Sequence, residues 1–224
     1  LDESPLAIEV LLRLTGASPY LTQLLLRNPE YFYWLLEGNR IQSVDGPEYF
    51  EHQAEDMTRA FTGDTRRSLN ALRRLRRCET LRIAAQDILG TTSLEAVTLQ
   101  LSHLADAILH RTYLLLSPGA FEPPAQFAVI AMGKLGGQEL NFSSDIDLIY
   151  VFADDADRAL VFRFAKEYTR ALTQYTDQGH LYRVDLRLRP MGKAGEIAYS
   201  LDACRHYYET WADTSDRLAL IKAR

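Results

Sequence analysis

The chain has 224 residues, a hydrophobic content of 47% and a formal net charge of −5. This length and content allow a sizeable buried core, in one domain or two. Because no segment reaches the roughly 18 uncharged apolar residues of a membrane span, and no charged-then-apolar leader opens the chain, we expect a cytoplasmic protein with no membrane partner. The two cysteines, Cys78 and Cys204, lack the spacing of a zinc site or a disulfide framework.

The pattern of the first 120 residues predicts a bundle of helices. Apolar residues recur through the opening segment until Gly16, and Ser18 followed by Pro19 predicts an N-cap with proline at the first helical position. Asn28-Pro29 marks another helix start, and the glycine, asparagine, aspartate and proline residues of 38–48 predict a loop.

Three longer helices are predicted next, over 48–62, over 66–89 and from Leu94 to about Leu116, the last capped by Thr92-Ser93. Prolines and glycine then interrupt the pattern, which places a domain boundary near 118–125. We therefore predict a helical bundle over 1–120 and a second domain over 121–224.

Seven arginines form the one cluster of basic residues in the sequence of this acidic chain. They are Arg66, Arg67, Arg73, Arg74, Arg76, Arg77 and Arg82. The negative net charge and the absence of a known binding motif argue against a nucleic-acid partner. We expect a solvated helix face, or arginines turned toward a nucleotide phosphate or an acidic partner.

The second domain opens with an apolar run of strand length, 127–132, that leads into a glycine-rich segment. Gly133, Gly136 and Gly137 suit tight turns and a close approach of backbone N–H groups to phosphates, and Lys134 adds positive charge. The segment matches neither a Walker-type phosphate loop nor a dinucleotide-binding fingerprint. It predicts a glycine loop between two strands.

The most informative feature is the pair Asp145 and Asp147, at the start of an apolar, β-branched strand. Side chains alternate along a strand, so both carboxylates project from one face, about 7 Å apart. Two carboxylates on one face can hold magnesium.

A third carboxylate, Asp185, lies in a segment whose alternation predicts a half-buried strand over 181–190. Arg183, Arg187 and Arg189 share its polar face. An amphipathic helix is predicted over 158–177, between the two acidic segments.

Together these residues suit phosphoryl chemistry. Two magnesium ions held by Asp145, Asp147 and Asp185 would clamp an in-line displacement at phosphorus, and Asp185 could help to deprotonate the nucleophile. Guanidinium groups bind phosphate oxygens bidentately. The candidate nucleotide- and phosphate-binding residues are Gly133, Lys134, Ser143, Ser144, Arg183, Arg187 and Arg189.

Each signal alone has an ordinary structural explanation. An Asp-x-Asp pair can be a strand-edge solubility device, a glycine loop a simple connection, and an arginine beside an aspartate a surface ion pair. Their joint order and spacing favour the functional interpretation.

The order of these residues resembles the pattern of the nucleotidyltransferase superfamily of DNA polymerase beta. It consists of a glycine-lysine pair, ten intervening residues and then Asp145-Ile-Asp147. The longer strings 133–149 and 182–190 resemble the bacterial glutamine synthetase adenylyltransferase/adenylyl-removing enzyme family. This resemblance implies an α+β fold, with an N-terminal helical bundle followed by a DNA polymerase beta-like nucleotidyltransferase domain that has a mixed sheet.

Proteins of that family carry two nucleotidyltransferase halves, and this chain is long enough for one, so we interpret it as a fragment. In the family, the N-terminal half removes AMP from a tyrosine of glutamine synthetase by phosphorolysis, which gives ADP, and the C-terminal half adds AMP from ATP. Asn141-Phe-Ser-Ser-Asp145 and Lys222-Ala-Arg224 are more similar to the removing half. The segment 210–216 departs from it, because that half usually has a Gly-Arg pair and a Trp-Glu pair there.

The resemblance therefore implies magnesium-dependent removal of AMP from glutamine synthetase, with ATP or ADP, phosphate and a nitrogen-signalling regulatory protein as further partners. ATP-dependent adenylylation of the same tyrosine is the second interpretation. A non-catalytic nucleotide-sensing module is the third, because of the departure at 210–216.

Overall fold

The computed structural model describes residues 5–117 and 126–224, and it combines a helical part with a small mixed sheet, which confirms the predicted α+β class. The predicted boundary at 118–125 lies wholly outside the described residues, so the division into two domains stays a prediction. The helical part contains α1 (Pro5–Ala17), α2 (Pro19–Arg27), α3 (Glu30–Leu36), α4 (Pro47–Arg59), α5 (Thr65–Leu89) and α6 (Leu94–Leu116).

Side-chain caps start these helices where the sequence predicts. The Ser18 hydroxyl accepts from the Leu21 N–H at the start of α2, with Pro19 at the first helical position. The Ser93 hydroxyl likewise accepts from the Ala96 N–H at the start of α6. Each cap satisfies an N–H group that has no partner within its helix, which explains why the boundaries follow local sequence.

The second part of the chain alternates strands and helices. Its elements are β1 (Phe127–Met132), α7 (Gly133–Gly136), β2 (Ile146–Phe152), α8 (Arg158–Thr173), β3 (Val184–Asp185), β4 (Tyr199–Ser200), α9 (Leu201–Thr210) and α10 (Thr214–Ala219). β1 runs antiparallel to β2, whereas β3 pairs in parallel with the start of β2 and β4 with its end. The sheet is therefore mixed, as predicted.

One hydrophobic core joins the sheet to the helical part. Leu104 and Ile108 of α6 and Phe164 of α8 pack in one cluster with Leu148 and Tyr150 of β2. A second cluster holds α1, α2 and α3 against α5. The sheet is thus fixed to the long helices α5 and α6 by buried apolar surface, the largest favourable contribution to folding.

The arginines of α5 correct a prediction. Arg66, Arg67 and Arg74 are exposed, but Arg73 and Arg82 are buried, at 3% and 0% exposure. Arg82 pairs with Glu79 at 2.7 Å and with Asp45 at 3.1 Å. A solvated face was therefore the wrong expectation for these two.

The reason is that α5 lies inside the protein. Arg73 donates to the Ala171 carbonyl oxygen at 3.2 Å, and Arg76 donates to that of His180 at 3.3 Å. The Ala171 carbonyl group lies in the last turn of α8, where it has no partner within that helix, and the Arg73 side chain supplies the missing donor. Some of the arginines of α5 therefore connect the helical part to the second part of the chain.

Two further local predictions were wrong. The segment 181–190 contributes only Val184–Asp185 to the sheet, because the Arg187 N–H donates to the Asp185 carboxylate at 2.8 Å and the chain then turns. The glycine-rich segment begins with one helical turn, α7, instead of an open loop.

None of the described helices is both long and apolar enough to cross a membrane. Cys78 and Cys204 are free thiols.

Candidate active site

The structure brings Asp147 and Asp185 together through the register of two strands. β2 and β3 pair in parallel with Asp147 opposite Asp185, and neighbouring strands lie about 4.8 Å apart. Asp145 lies just before β2, two residues from Asp147, and its charge acts on Asp147. The three carboxylates therefore belong to one cluster.

Gly133 closes one side of this cluster. β1 ends with Met132 opposite Asp147, so the next residue lies directly beside that carboxylate. Gly133 has a φ of +54°, and a Cβ built on it would lie 2.5 Å from Asp147 Oδ2. Only glycine lets the backbone pass so near the carboxylate in this left-handed conformation.

The carboxylates differ in their electrostatic environment. Partial burial raises the pKa of Asp147, and the nearby charges of Asp185 and Asp145 raise it further. The Arg187 guanidinium, by contrast, hydrogen-bonds Asp185 and lowers the pKa of that group. Lys134 is exposed, and its charge lowers the pKa of Asp147 in part. The ionised form is therefore disfavoured at Asp147 and favoured at Asp185.

Two of the three predicted arginines contact the carboxylates. Arg183 pairs with Asp145 and donates to the Ser143 carbonyl oxygen at 2.7 Å. The Arg187 Nε donates to Asp185 Oδ2 at 2.6 Å. Both arginines are exposed, so each can present donors to a ligand at the surface of the cluster.

The third arginine, Arg189, has different contacts. It donates to the Leu186 carbonyl oxygen at 2.8 Å and to the Gly195 carbonyl oxygen at 3.2 Å. These bonds hold the turn that follows Asp185. In this structure the residue acts on the shape of the loop, and its predicted phosphate contact stays a prediction.

Ser143 and Ser144 lie in a loop that Asn141 organises. The Asn141 side-chain oxygen accepts from the Ser144 hydroxyl at 2.8 Å and from the Ser143 N–H at 3.2 Å. Asp145 follows directly after this turn. The sequence reasoning gave Asn141 no role, although asparagine followed two residues later by serine is a known turn signal.

The donor set suits a hard cation such as magnesium. Asp147 has no side-chain hydrogen bond or ion pair to any of the described residues, although it is half-buried beside two other carboxylates. Within 5–117 and 126–224, no three His, Cys, Asp or Glu side chains are arranged so as to hold a metal ion. Arg183 and Arg187 lie against two of the three carboxylates, so these two side chains would have to turn before all three could share a cation.

The segment 210–216, which departs from the family pattern, forms an ordered helix start. Asp213 and Asp216 make a reciprocal capping box at the beginning of α10, and the Tyr207 hydroxyl donates to Asp216 at 2.6 Å. Trp211 remains 71% exposed. The altered residues therefore have a clear structural role.

Comparison with known proteins agrees with these observations. The family model described as glutamate-ammonia ligase adenylyltransferase matches residues 8–224. Relatives from Chromobacterium violaceum and Neisseria meningitidis serogroup B are each 34% identical over the whole chain, and one from Bordetella pertussis is 35% identical. All three are named bifunctional glutamine synthetase adenylyltransferase/adenylyl-removing enzyme, and the chain covers 26%, 26% and 25% of their lengths.

The chain thus spans about a quarter of the relatives that it matches, while the family model extends over nearly all of it. On this evidence the chain belongs to the glutamate-ammonia ligase adenylyltransferase family.

Proposed function

We propose that this chain is a nucleotidyltransferase unit that removes AMP from an adenylylated tyrosine of glutamine synthetase by phosphorolysis, giving ADP. The register that pairs Asp147 with Asp185 beside Gly133 is the observation that carries the proposal. The names of the relatives support glutamine synthetase as the protein substrate. The segments 141–145 and 222–224, which resemble the removing half, support removal of AMP over its addition.

In this reaction an oxygen of inorganic phosphate forms a bond to the adenylyl phosphorus. The bond from that phosphorus to the tyrosine oxygen breaks, and the proton lost by the phosphate ends on the tyrosine hydroxyl. The negative charge that builds up on the phosphoryl oxygens must be offset, since electrostatic stabilisation dominates such reactions.

Asp145, Asp147 and Asp185 would hold Mg²⁺, in our proposal two ions, and the bound cation supplies charge neutralisation at the phosphoryl oxygens. Arg183 and Arg187 then donate to phosphate oxygens, because exposed guanidinium groups match phosphate geometry. The absence of a side chain at Gly133 leaves room for the Asp147 carboxylate. A nitrogen-signalling regulatory protein is proposed as a further partner from the resemblance alone.

The test uses purified protein with adenylylated glutamine synthetase, Mg²⁺ and phosphate. We expect release of ADP and of unmodified glutamine synthetase. Asp185→Asn should abolish the release, whereas Asp155→Asn, at an exposed acid in the loop before α8, should not change it.

Two results would contradict the proposal. Release of pyrophosphate from ATP with unmodified glutamine synthetase, without ADP release in the first assay, would show adenylylation instead. Nucleotide binding without turnover on either form, with regulation unaffected by Asp145→Asn, would show a sensing module.

A further inference from the structure

A cavity of about 480 Å³ opens beside the candidate site, between the first helices, α5 and the loops around Asp145. Its volume lies within the range of small-molecule pockets and is small for a surface that binds a folded protein. Residues from four separate stretches of the chain line it, among them Ser18, Tyr20, Thr80, Asp87, Phe142 and Arg183. Among these residues, the function proposed above assigns a role only to Arg183.

One end of the cavity is continuous with the candidate site. Ser143, Ser144 and Arg183 line it, and Arg183 also pairs with Asp145. A ligand whose phosphates lie at the carboxylate cluster would therefore have space for the rest of its structure in this cavity.

The long wall of the cavity is one face of α5. Arg76, Thr80, Ala84 and Ile88 all line it, and their spacing of four residues places them on one side of the helix. At 1.5 Å per residue the wall from the first to the last of them extends about 18 Å. The cavity is therefore long enough for an extended ligand.

The chemistry of the wall changes along its length. Arg76 stacks on the Tyr182 ring at 4.6 Å and donates to the His180 carbonyl oxygen, so this end is positively charged. Ala84 and Ile88 make the other end apolar, and the exposed carboxylate of Asp87 lies among them. A ligand that fits is anionic at one end and flat, apolar and hydrogen-donating at the other.

We propose that this cavity holds the nucleoside part of the adenine nucleotide whose phosphates lie at the carboxylate cluster, an inference that rests on the proposed function. Two aromatic side chains, Tyr20 at 57% and Phe142 at 36% exposure, offer ring surface to a base. A carboxylate such as that of Asp87 can accept a hydrogen bond from the exocyclic amino group of a base.

The test measures the binding of two probes, ADP and inorganic pyrophosphate, by calorimetry in the presence of Mg²⁺. Thr80→Trp fills the middle of the cavity, and Tyr20→Ala removes an exposed ring from its wall. Thr98→Trp is the matched control, because Thr98 is a half-buried helical threonine of α6 that does not line the cavity.

We expect Thr80→Trp to weaken ADP binding by about tenfold or more, and Tyr20→Ala to weaken it by about three- to tenfold, the worth of one aromatic contact. Pyrophosphate binding should change by less than about twofold in both variants, because pyrophosphate has no nucleoside part. The control should bind both probes as the unaltered protein does. If Thr80→Trp does not fold, Tyr20→Ala decides alone, since its side chain is exposed.

Unchanged ADP binding in a folded Thr80→Trp or in Tyr20→Ala would overturn the inference. An equal loss of pyrophosphate binding would also overturn it, and so would a raised KM for adenylylated glutamine synthetase with ADP binding intact, which would assign the cavity to the protein substrate. Failure of the unaltered protein to release ADP in the phosphorolysis assay would instead overturn the proposed function, so the two failures are distinguishable.

Discussion

Gly133→Ala tests whether the position of Asp147 matters for the reaction. The new Cβ would lie 2.5 Å from Asp147 Oδ2, whereas close carbon–oxygen contacts are about 3.3–3.6 Å. The carboxylate must therefore move by about 1 Å. A displacement of that size in a reacting site costs about 100-fold in rate, so we expect kcat/KM for phosphorolysis to fall by about that factor.

The same substitution also affects stability, because alanine is strained at a φ of +54°. A left-handed conformation costs about 1–2 kcal/mol for a residue with a Cβ. Gly90→Ala is the matched control, since Gly90 ends α5 with a φ of +69° and a Cβ there meets nothing within 4 Å. Gly90→Ala should be destabilised by a similar amount and should keep its activity.

The assays are urea denaturation of both variants and ADP release from adenylylated glutamine synthetase. Activity in Gly133→Ala equal to that of Gly90→Ala would refute the reasoning, because the contact with Asp147 would then have no consequence for the chemistry.

Three further perturbations test the electrostatics and packing around the site. Asp147→Asn removes a carboxylate whose pKa is raised in the folded state. The pKa of aspartate in the unfolded chain is about 4, so above this pH the ionised carboxylate lowers the stability of the unaltered protein. Its melting temperature should exceed that of the unaltered protein at pH 7, the gain should vanish as the pH falls below about 4, and ADP release should be lost. Glu79→Gln leaves the fully buried Arg82 short of a counter-charge and should lower the free energy of unfolding by about 3 kcal/mol in urea denaturation. Gly136→Ala would place a Cβ 1.9 Å from the Lys222 carbonyl oxygen, so 220–224 should detach and tryptic cleavage after Lys222 should become faster.

The first of these is checked by a comparison at two pH values, and the other two have control variants. An equal gain of Asp147→Asn at pH 7 and at pH 3 would show that its charge is not the cause. Glu9→Gln, in the exposed pair with Arg13, should change stability by less than about 0.5 kcal/mol, and an equal effect of Glu79→Gln would contradict the role of the buried pair. Gly137→Ala, whose Cβ would meet only side-chain atoms at 3.1 Å or more, should be cleaved at the normal rate, and the same rate in Gly136→Ala would reject the close packing.

The helices of the first part were predictable because their signals are local. Ser18, Ser93 and the apolar spacing act within one or two helical turns, and the structure starts α2, α4, α5 and α6 within a residue of the predicted positions. The pair Asp145 and Asp147 could be selected from its spacing, although only Asp147 lies within β2, so strand alternation does not fix the direction of Asp145. The last carboxylate could be selected as a candidate, although the strand proposed for it proved to be two residues long.

The sequence by itself determined the helix boundaries, the apolar strands and the residue types available for phosphoryl chemistry, because these depend on hydrogen bonds and periodicity within a few residues. Tertiary structure alone decided that Asp185 pairs with Asp147, that Gly133 lies against that carboxylate, and that Arg73 and Arg82 are buried. Strand register and the burial of charge are fixed by contacts between residues far apart in the chain, and their energies depend on neighbours that local sequence does not specify.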